Sequence, residues 1–261
     1  MSSLVLRGGI VDGRQQDVLI SDGRIQRIGP SLDGGGAELI DIAGKLVLPG
    51  FVETHIHPDK AFIADRTEGL RAGGPTAQTL VAGLKKKFTV DDIYQRARRV
   101  MELAVRHGCT TMRSHVEIDA FVELRGVEAM QRLQKDLAGV LDLELIAFAQ
   151  EGIFNDGVTK DLLREGVTMG LGWLGGCPYM DKDQRGHIDW FFETAQALGV
   201  PLDFHADSSD DPSLLTCDYI AEHTIKRGMQ GRVTVGHLCM LDVLEPAHRA
   251  QVVAKLREAR I

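Results

Sequence analysis

The chain has 261 residues, of which 44% are hydrophobic, 26% charged and 5% aromatic, a composition that allows one large domain or two smaller ones. Its net charge of −7 argues against a nucleic-acid or anionic-membrane partner, because either would need a basic surface. The longest uncharged stretch, residues 166–180, is too short to span a membrane, and the first residues lack the layout of a signal peptide. The cysteines form no CxxC pair, so we expect buried, reduced thiols in a cytoplasmic protein (Cys109, Cys177, Cys217 and Cys239).

Residues 1–45 have the pattern of short β-strands. Apolar runs at 4–6, 17–20 and 24–28 precede a further run at 38–41. The Ser21-Asp22-Gly23 step predicts a hairpin, because tight turns need the positive φ values that glycine adopts easily. We expect a small β unit that cannot bury a core alone.

From residue 46 onward the pattern alternates between helix, glycine and strand. Thr89 is expected to cap a helix that Gly108 ends in the left-handed conformation, and glycines at 166, 199 and 228 repeat this helix stop. An apolar strand is predicted after or between these helices at six places: 46–54, 109–116, 143–149, 167–171, 200–204 and 233–235. Such alternation predicts an α/β fold with parallel strands and right-handed crossovers.

Six strands are two fewer than a closed (β/α)₈ barrel requires. The sequence ends in a helical pattern at residues 256–261, where a seventh strand would begin. An open doubly wound sheet is the alternative, since it can be complete with six strands. The motifs described next favour an incomplete barrel with exposed edges at its first and sixth strands, and a chain truncated before strands seven and eight.

Histidines lie at four of the six predicted strand ends. His55 and His57 are two residues apart, so a strand would direct both imidazoles to one side, where they could bind a metal ion. An isolated HxH is equally compatible with a polar pair at a surface strand end. His115, His205 and His237 end three further strands, and parallel α/β folds place their sites at these carboxyl ends.

Other basic residues are expected at the surface. The remaining histidines fall in helices or at helix ends, and the lysine run at 85–87 has the character of a solvated face (the histidines are His107, His187, His223 and His248).

Five segments in register resemble the amidohydrolase superfamily, and specifically its cytosine deaminase branch. They are LPGFVETHIHPDKAF, RSHVEID, FAQEGI, FHADSSDDP and TVGHLCML, within a match that runs from about Leu4 to His248. The resemblance implies a small β-sandwich portion at residues 1–45 and an incomplete metal-dependent hydrolase barrel at 46–261.

The resemblance also implies a set of site residues. One iron or zinc ion would be held by His55, His57 and His205, while His237 would orient the metal-activated hydroxide. Gln150 would contact a heterocycle, and we place His115 with it as a substrate-binding residue. No lysine stands at the end of the fourth-segment strand. Its absence there argues against a binuclear metal centre that contains a carbamylated lysine.

Two departures from the family pattern concern the chemistry. Ser208 stands where the family has its proton-shuttling glutamate, and a hydroxyl cannot store a proton as a carboxylate does. We therefore include Asp207 with Ser208 among the candidate catalytic residues, with Asp210 and Asp211 as alternatives. The family's metal-ligating aspartate ends an eighth strand that this sequence does not reach.

The predicted function is hydrolytic deamination of a small, cytosine-like N-heterocycle by a metal-activated hydroxide. A bound metal lowers the pKa of water to about 7, which supplies a nucleophile at neutral pH. The alternatives are hydrolysis of an alkylamino-triazine or cyclic amide, decided by loops at 62–74 and 154–157, or a truncated paralogue without catalysis. The expected partner is a small molecule, and homo-oligomerisation is left open.

Overall fold

The computed structural model describes residues 3–67 and 77–261, so residues 68–74 of the first predicted substrate loop lie outside the described residues. The chain forms two compact units, Met1–Gly50 and Phe51–Ile261. Within the described ranges, no helix combines the length and apolar character that a membrane span requires.

The first unit is a four-stranded sheet in the order β3-β2-β1-β4. The neighbours pair antiparallel except β1 and β4, which are parallel. The predicted hairpin is confirmed, because Asp22 (φ +54°) and Gly23 (φ +70°) form the turn between β2 and β3. The strands are β1 (Leu4–Val11), β2 (Arg14–Ser21), β3 (Arg24–Gly29) and β4 (Glu38–Asp41).

The second unit is built on six parallel strands that follow one another across the sheet in chain order. This arrangement confirms the predicted α/β class and the incomplete barrel with a separate small sheet. The strands are β5 (Phe51–Ile56), β6 (Cys109–Glu117), β7 (Asp142–Ala149), β8 (Trp173–Gly176), β9 (Leu202–Ala206) and β10 (Val233–His237).

Helices connect these strands and cover the sheet. Asp92 N–H donates to Thr89 Oγ1 at 3.1 Å, which confirms the predicted N-cap, and Gly108 adopts the predicted left-handed conformation (φ +89°). Buried side chains such as Met130 and Phe191 join helices and sheet in one core. The helices are α1 (Ala77–Lys85), α2 (Val90–Arg106), α3 (Arg125–Asp136), α4 (Thr159–Thr168), α5 (Gln184–Leu198), α6 (Cys217–Lys226), α7 (Met240–Val243) and α8 (Pro246–Ala259).

The prediction of a strand at 167–171 was wrong. Helix α4 continues to Thr168, and β8 begins only at Trp173. Gly166 does not end the helix; a Cβ there would lie 2.6 Å from Ile118 Cδ1, so the glycine instead permits close packing of helix on sheet. Gly170 (φ +113°) ends this segment.

The predicted strand at 46–54 was wrong in its first half. Strand β5 starts at Phe51 and runs to Ile56. Pro49 has no backbone N–H to donate to a neighbouring strand.

Three surface or burial expectations also need correction. His187 is buried, with Nδ1 2.7 Å from Asp181 Oδ2, because the pair holds the start of α5 against the loop after β7. Lys85 is buried although Lys86 is exposed, since α1 directs it towards carboxylates. Cys239 is exposed, whereas the other three cysteines are buried, and all four thiols are free.

Candidate metal centre

Four histidines meet at the carboxyl end of the parallel sheet. One ring nitrogen each from His55, His57, His115 and His205 lies within 4.8 Å of the others; we call these four residues the histidine cluster. His55, His115 and His205 lie on strands β5, β6 and β9, and His57 directly follows β5; they meet because parallel strands end at the same edge of a sheet. The alternation of a strand keeps His55 and His57 on one side.

Two imidazoles of the cluster, those of His115 and His205, lie within hydrogen-bond distance of each other. His205 Nε2 lies 3.0 Å from His115 Nε2, and Asp203 Oδ1 lies 3.1 Å from that same His115 nitrogen. Two ring nitrogens at this separation cannot both carry a proton aimed at the other, so at least one of them presents a free lone pair. Asp203 places a buried negative charge next to this point.

The electrostatics keep three of the cluster histidines, His55, His57 and His205, neutral at pH 7. Burial lowers the pKa of His57 well below its usual value, and Lys60 and His115 lower it further. Burial and the neighbouring imidazoles also lower the pKa values of His55 and His205. Neutral imidazole is the form that binds metal ions.

His57 shows most directly that the cluster fits a divalent metal. Its Nδ1 atom is buried and has no hydrogen-bond partner among the described residues, with Glu117 Oε1 3.7 Å away. A buried polar atom without a partner is costly. Nitrogen donors brought together in this way are typical ligands of zinc, iron and related ions.

His237 lies beside the cluster. It is the last residue of β10, and its ring centroid is 5.2 Å from that of His55 and 5.0 Å from that of His205. Its backbone adopts φ +75°, in the left-handed region. The side chain is exposed on one side, so it can meet a molecule that approaches the cluster from solvent.

Gln150 follows β7 directly and is held by its own hydrogen bonds. Lys60 Nζ donates to Gln150 Oε1 at 3.2 Å, and Gln150 Nε2 donates to Cys177 Sγ at 3.3 Å. Tyr179 is a further polar neighbour of Gln150. Burial raises the pKa of the Cys177 thiol to about 12, so this neighbour is uncharged.

The Asp207 carboxylate is occupied by contacts away from the cluster. It accepts hydrogen bonds from Thr216 N (2.8 Å), Thr216 Oγ1 (2.7 Å) and Cys217 N (2.9 Å). These contacts provide acceptors for backbone N–H groups at the start of α6 that have no partner within the helix. Asp207 therefore caps the N-terminus of α6.

Ser208 and the two alternative aspartates differ in their surroundings. Ser208 lines a cavity of about 100 Å³ with Tyr179 and Met240. Asp210 and Asp211 are exposed, and Asp211 accepts hydrogen bonds from Ser213.

The charged residues around the cluster were not among the predicted site residues. Asp203 shares a strand face with His205 two positions later, so the DxH spacing could have indicated it. Half-buried Lys60 and buried Lys85 both pair with buried Glu117. No local pattern connects these three, because they come from separate parts of the chain.

Comparison with known proteins agrees with this geometry. Residues 64–261 match the profile described as the amidohydrolase family. The chain belongs to the amidohydrolase family. Enzymes of this superfamily use a divalent metal, and the histidine cluster is a metal-binding arrangement suited to that role.

Named relatives of this amidohydrolase chain include two kinds of enzyme. N-isopropylammelide isopropyl amidohydrolase from Pseudomonas sp. is 29% identical over 249 residues, which are 92% of this chain and 62% of that protein. Pterin deaminase from Rhizobium rhizogenes is 28% identical over 86% of this chain and 52% of that protein. The chain therefore spans between half and two thirds of the length of these relatives.

Solved structures give the same two groups. The 5-methylcytosine deaminase from Klebsiella pneumoniae, liganded with phosphonocytosine, superposes with a TM-score of 0.88 at 27% identity, covering 99% of this chain and 64% of that one. The N-isopropylammelide isopropylaminohydrolase from Burkholderia multivorans also has a TM-score of 0.88 at 27% identity, covering all of this chain and 67% of that one.

Proposed function

We propose that this amidohydrolase chain carries the metal centre of a hydrolytic deaminase for small, cytosine-like N-heterocycles. The observation that carries the proposal is the convergence of the histidine cluster at the carboxyl end of the sheet. More specifically, we propose that His55, His57 and His205 hold one iron or zinc ion. We also propose that residues 46–261 form the incomplete barrel and that residues 1–45 form part of a β-sandwich.

The overall reaction consumes water and releases ammonia from a ring carbon that carries an amino group. A divalent metal held by the histidines would supply the nucleophile, since metal binding lowers the pKa of water to about 7. His237 is proposed to orient that water, since it lies beside two cluster rings and faces solvent. Its pKa is lowered by burial and by His115, so the imidazole is neutral and can accept a hydrogen bond.

Gln150 is proposed to recognise the heterocycle. An amide offers one acceptor and two donors, which can pair with the ring nitrogen and carbonyl edge of a pyrimidine. Lys60 and Cys177 occupy part of this capacity and fix the amide plane. His115, deeper in the cluster, is proposed to line the same pocket.

The group that would carry the proton differs from the glutamate that the family resemblance implies. A carboxylate is expected to move a proton from water to the leaving amine. Asp207 could do so only after giving up its three hydrogen bonds to Thr216 and Cys217. Ser208 can relay a proton through its hydroxyl without storing it.

The second candidate is hydrolysis of an alkylamino-triazine. It is favoured by the similarity to the N-isopropylammelide-hydrolysing proteins of Pseudomonas and Burkholderia. The overall reaction would consume water and release an alkylamine from a ring carbon instead of ammonia, with the same histidines holding the metal. The partner remains a small heterocycle in both cases. As in the sequence-based prediction, homo-oligomerisation is left open. We also propose a reducing, cytoplasmic location, which the free thiols support.

Turnover of a substrate panel by the metal-loaded chain tests the proposal. We expect ammonia release from cytosine or a related aminopyrimidine after reconstitution with iron or zinc. Alkylamine release from N-alkylaminotriazines would favour the second candidate instead.

Matched variants make the test specific to the cluster. His57→Gln should abolish both bound metal and turnover, whereas His107→Gln, on an exposed residue at the end of α2, should change neither. A metal-loaded chain that turns over no member of the panel would leave the non-catalytic paralogue as the better account.

A further inference from the structure

Lys85 is an ammonium group buried where a solvated lysine was expected. It is the last residue of α1 and is 1% exposed, whereas Lys86 and Lys87 beside it are exposed. Removing an ammonium from water is expensive unless other charges and hydrogen bonds replace the lost solvation. Its surroundings must therefore supply that replacement.

Three carboxylates surround the Lys85 ammonium. Its Nζ atom lies 2.5 Å from Glu117 Oε2, 2.7 Å from Glu151 Oε1 and 2.9 Å from Asp119 Oδ2. Burial alone would lower the pKa of Lys85, but these three charges outweigh burial and raise it, so the residue stays charged. The ammonium donates hydrogen bonds to Asp119 and Glu151 and forms an ion pair with Glu117.

The carboxylates could otherwise be taken for a second metal site. Their oxygen atoms lie within 4.8 Å of one another, a spacing that suits a divalent cation. The Lys85 ammonium already contacts all three, so the cation of this group belongs to the chain itself. We call Lys85 and its three carboxylates the buried ion group.

The buried ion group reaches Gln150 by two routes. Along the first, Glu117 also pairs with Lys60, whose Nζ donates to Gln150 Oε1 at 3.2 Å. Along the second, Glu151 directly follows Gln150 in the chain, so fixing its side chain restrains the adjoining backbone. Lys85 is the residue common to both routes.

We propose that Lys85 is a positioning residue that holds the Lys60 ammonium and the Gln150 amide in one arrangement for recognition of the heterocycle. Lys85 does not touch the substrate in this proposal. It acts by fixing Glu117 and Glu151, which in turn fix the two groups at the pocket. The part that concerns the heterocycle rests on the proposed function, whereas the part that concerns side-chain arrangement does not.

The test compares Lys85→Met with Lys87→Met, the same substitution two residues away on an exposed lysine. Crystal structures of both metal-loaded variants and of the wild type measure the separation of Lys60 Nζ and Gln150 Oε1. We expect Lys85→Met alone to lose this 3.2 Å hydrogen bond while bound metal stays at the wild-type level. Retention of the contact in Lys85→Met would overturn the proposal.

Steady-state kinetics add a readout that a general loss of stability would not produce. We expect the KM of Lys85→Met to rise about tenfold with kcat changed less than about threefold, because one substrate hydrogen bond is misplaced. Lys85→Arg, which keeps the charge, should recover part of this KM. An equal fall in kcat for both variants at unchanged KM would contradict the proposal.

A charge-balanced double variant replaces Lys85→Met in this test if Lys85→Met does not fold. Lys85→Met/Asp119→Asn removes one charge of each sign, and the asparagine Oδ1 can still accept from Phe121 and Val122 N–H. The same structural comparison then decides. If the wild type turns over no substrate, the proposed function fails, but the Lys60–Gln150 separation in the variants still confirms or refutes the positioning role.

Discussion

Asp203→Asn tests whether the buried carboxylate beside His115 and His205 helps the cluster to hold a cation. Asp203 is 2% exposed, and its Oδ1 atom lies 3.1 Å from His115 Nε2 and 4.0 Å from His205 Nε2. Asparagine has nearly the same shape and can still accept a hydrogen bond from an imidazole N–H. The substitution therefore removes mainly the negative charge.

The size of the effect follows from competing contributions. Two unit charges about 4 Å apart at an effective dielectric of about 20 interact by about 4 kcal/mol. Arg113 Nη1, 3.8 Å from Asp203 Oδ2, already offsets part of that charge. We therefore expect a loss typical of a carboxylate behind a ligand, roughly 10- to 100-fold in metal affinity.

Competition with a chromophoric chelator at pH 7.5 measures this change for zinc. Asp142→Asn is the matched control, because that aspartate is exposed at the opposite end of a strand in the same sheet. An Asp203→Asn variant that is folded and binds zinc within twofold of the wild type would refute the role assigned to this carboxylate.

Three further predictions concern the fold that supports the site. Asp207→Ala should lower the free energy of unfolding by about 2 kcal/mol, since three hydrogen bonds to Thr216 and Cys217 are lost; urea denaturation measures it. Gly175→Ala should destabilise more severely or prevent folding, because a Cβ would lie 2.2 Å from the Asp203 carbonyl oxygen; thermal unfolding and soluble yield measure it. In metal-free protein, the free energy of unfolding should fall by about 2 kcal/mol between pH 7.5 and 5.5, because the unfolded chain takes up protons on histidines whose folded pKa values are lowered.

Each of these predictions has its own control. Asp210→Ala, on an exposed aspartate, should leave stability unchanged, and an equal loss in both variants would contradict the capping role. For Gly175, an unfolding temperature equal to that of the wild type would contradict the prediction, because it would show that β8 and β9 can move apart at little cost in free energy. Asp59 opposes the pH trend, because burial and Glu117 raise its pKa to about 6 and favour the folded state at low pH. A flat or rising stability on acidification would mean that Asp59 or similar groups outweigh the histidines.

Much of the fold follows from local signals. Thr89 and Gly108 mark the two ends of α2, and both act as expected. The strand-end histidines were recognisable for the same reason, since the alternation of a strand and the shared edge of a parallel sheet are geometric rules.

The errors arise where contacts distant in sequence decide the outcome. Gly166 has the sequence appearance of a helix stop, yet it is a glycine because Ile118 packs against it from another element. Lys85 stands in a run of three lysines, and only the fold brings Glu117 and Glu151 around it. Asp203 shows the intermediate case, since its spacing from His205 was visible but its contact with His115 was not.

The most direct test of the account is anomalous diffraction from crystals of the zinc-loaded wild-type chain. The account predicts one peak per chain at the carboxyl end of the sheet, about 2.0–2.1 Å from ring nitrogens of His55, His57 and His205. A peak held by other residues, or crystals without metal at these histidines despite saturating zinc, would contradict it.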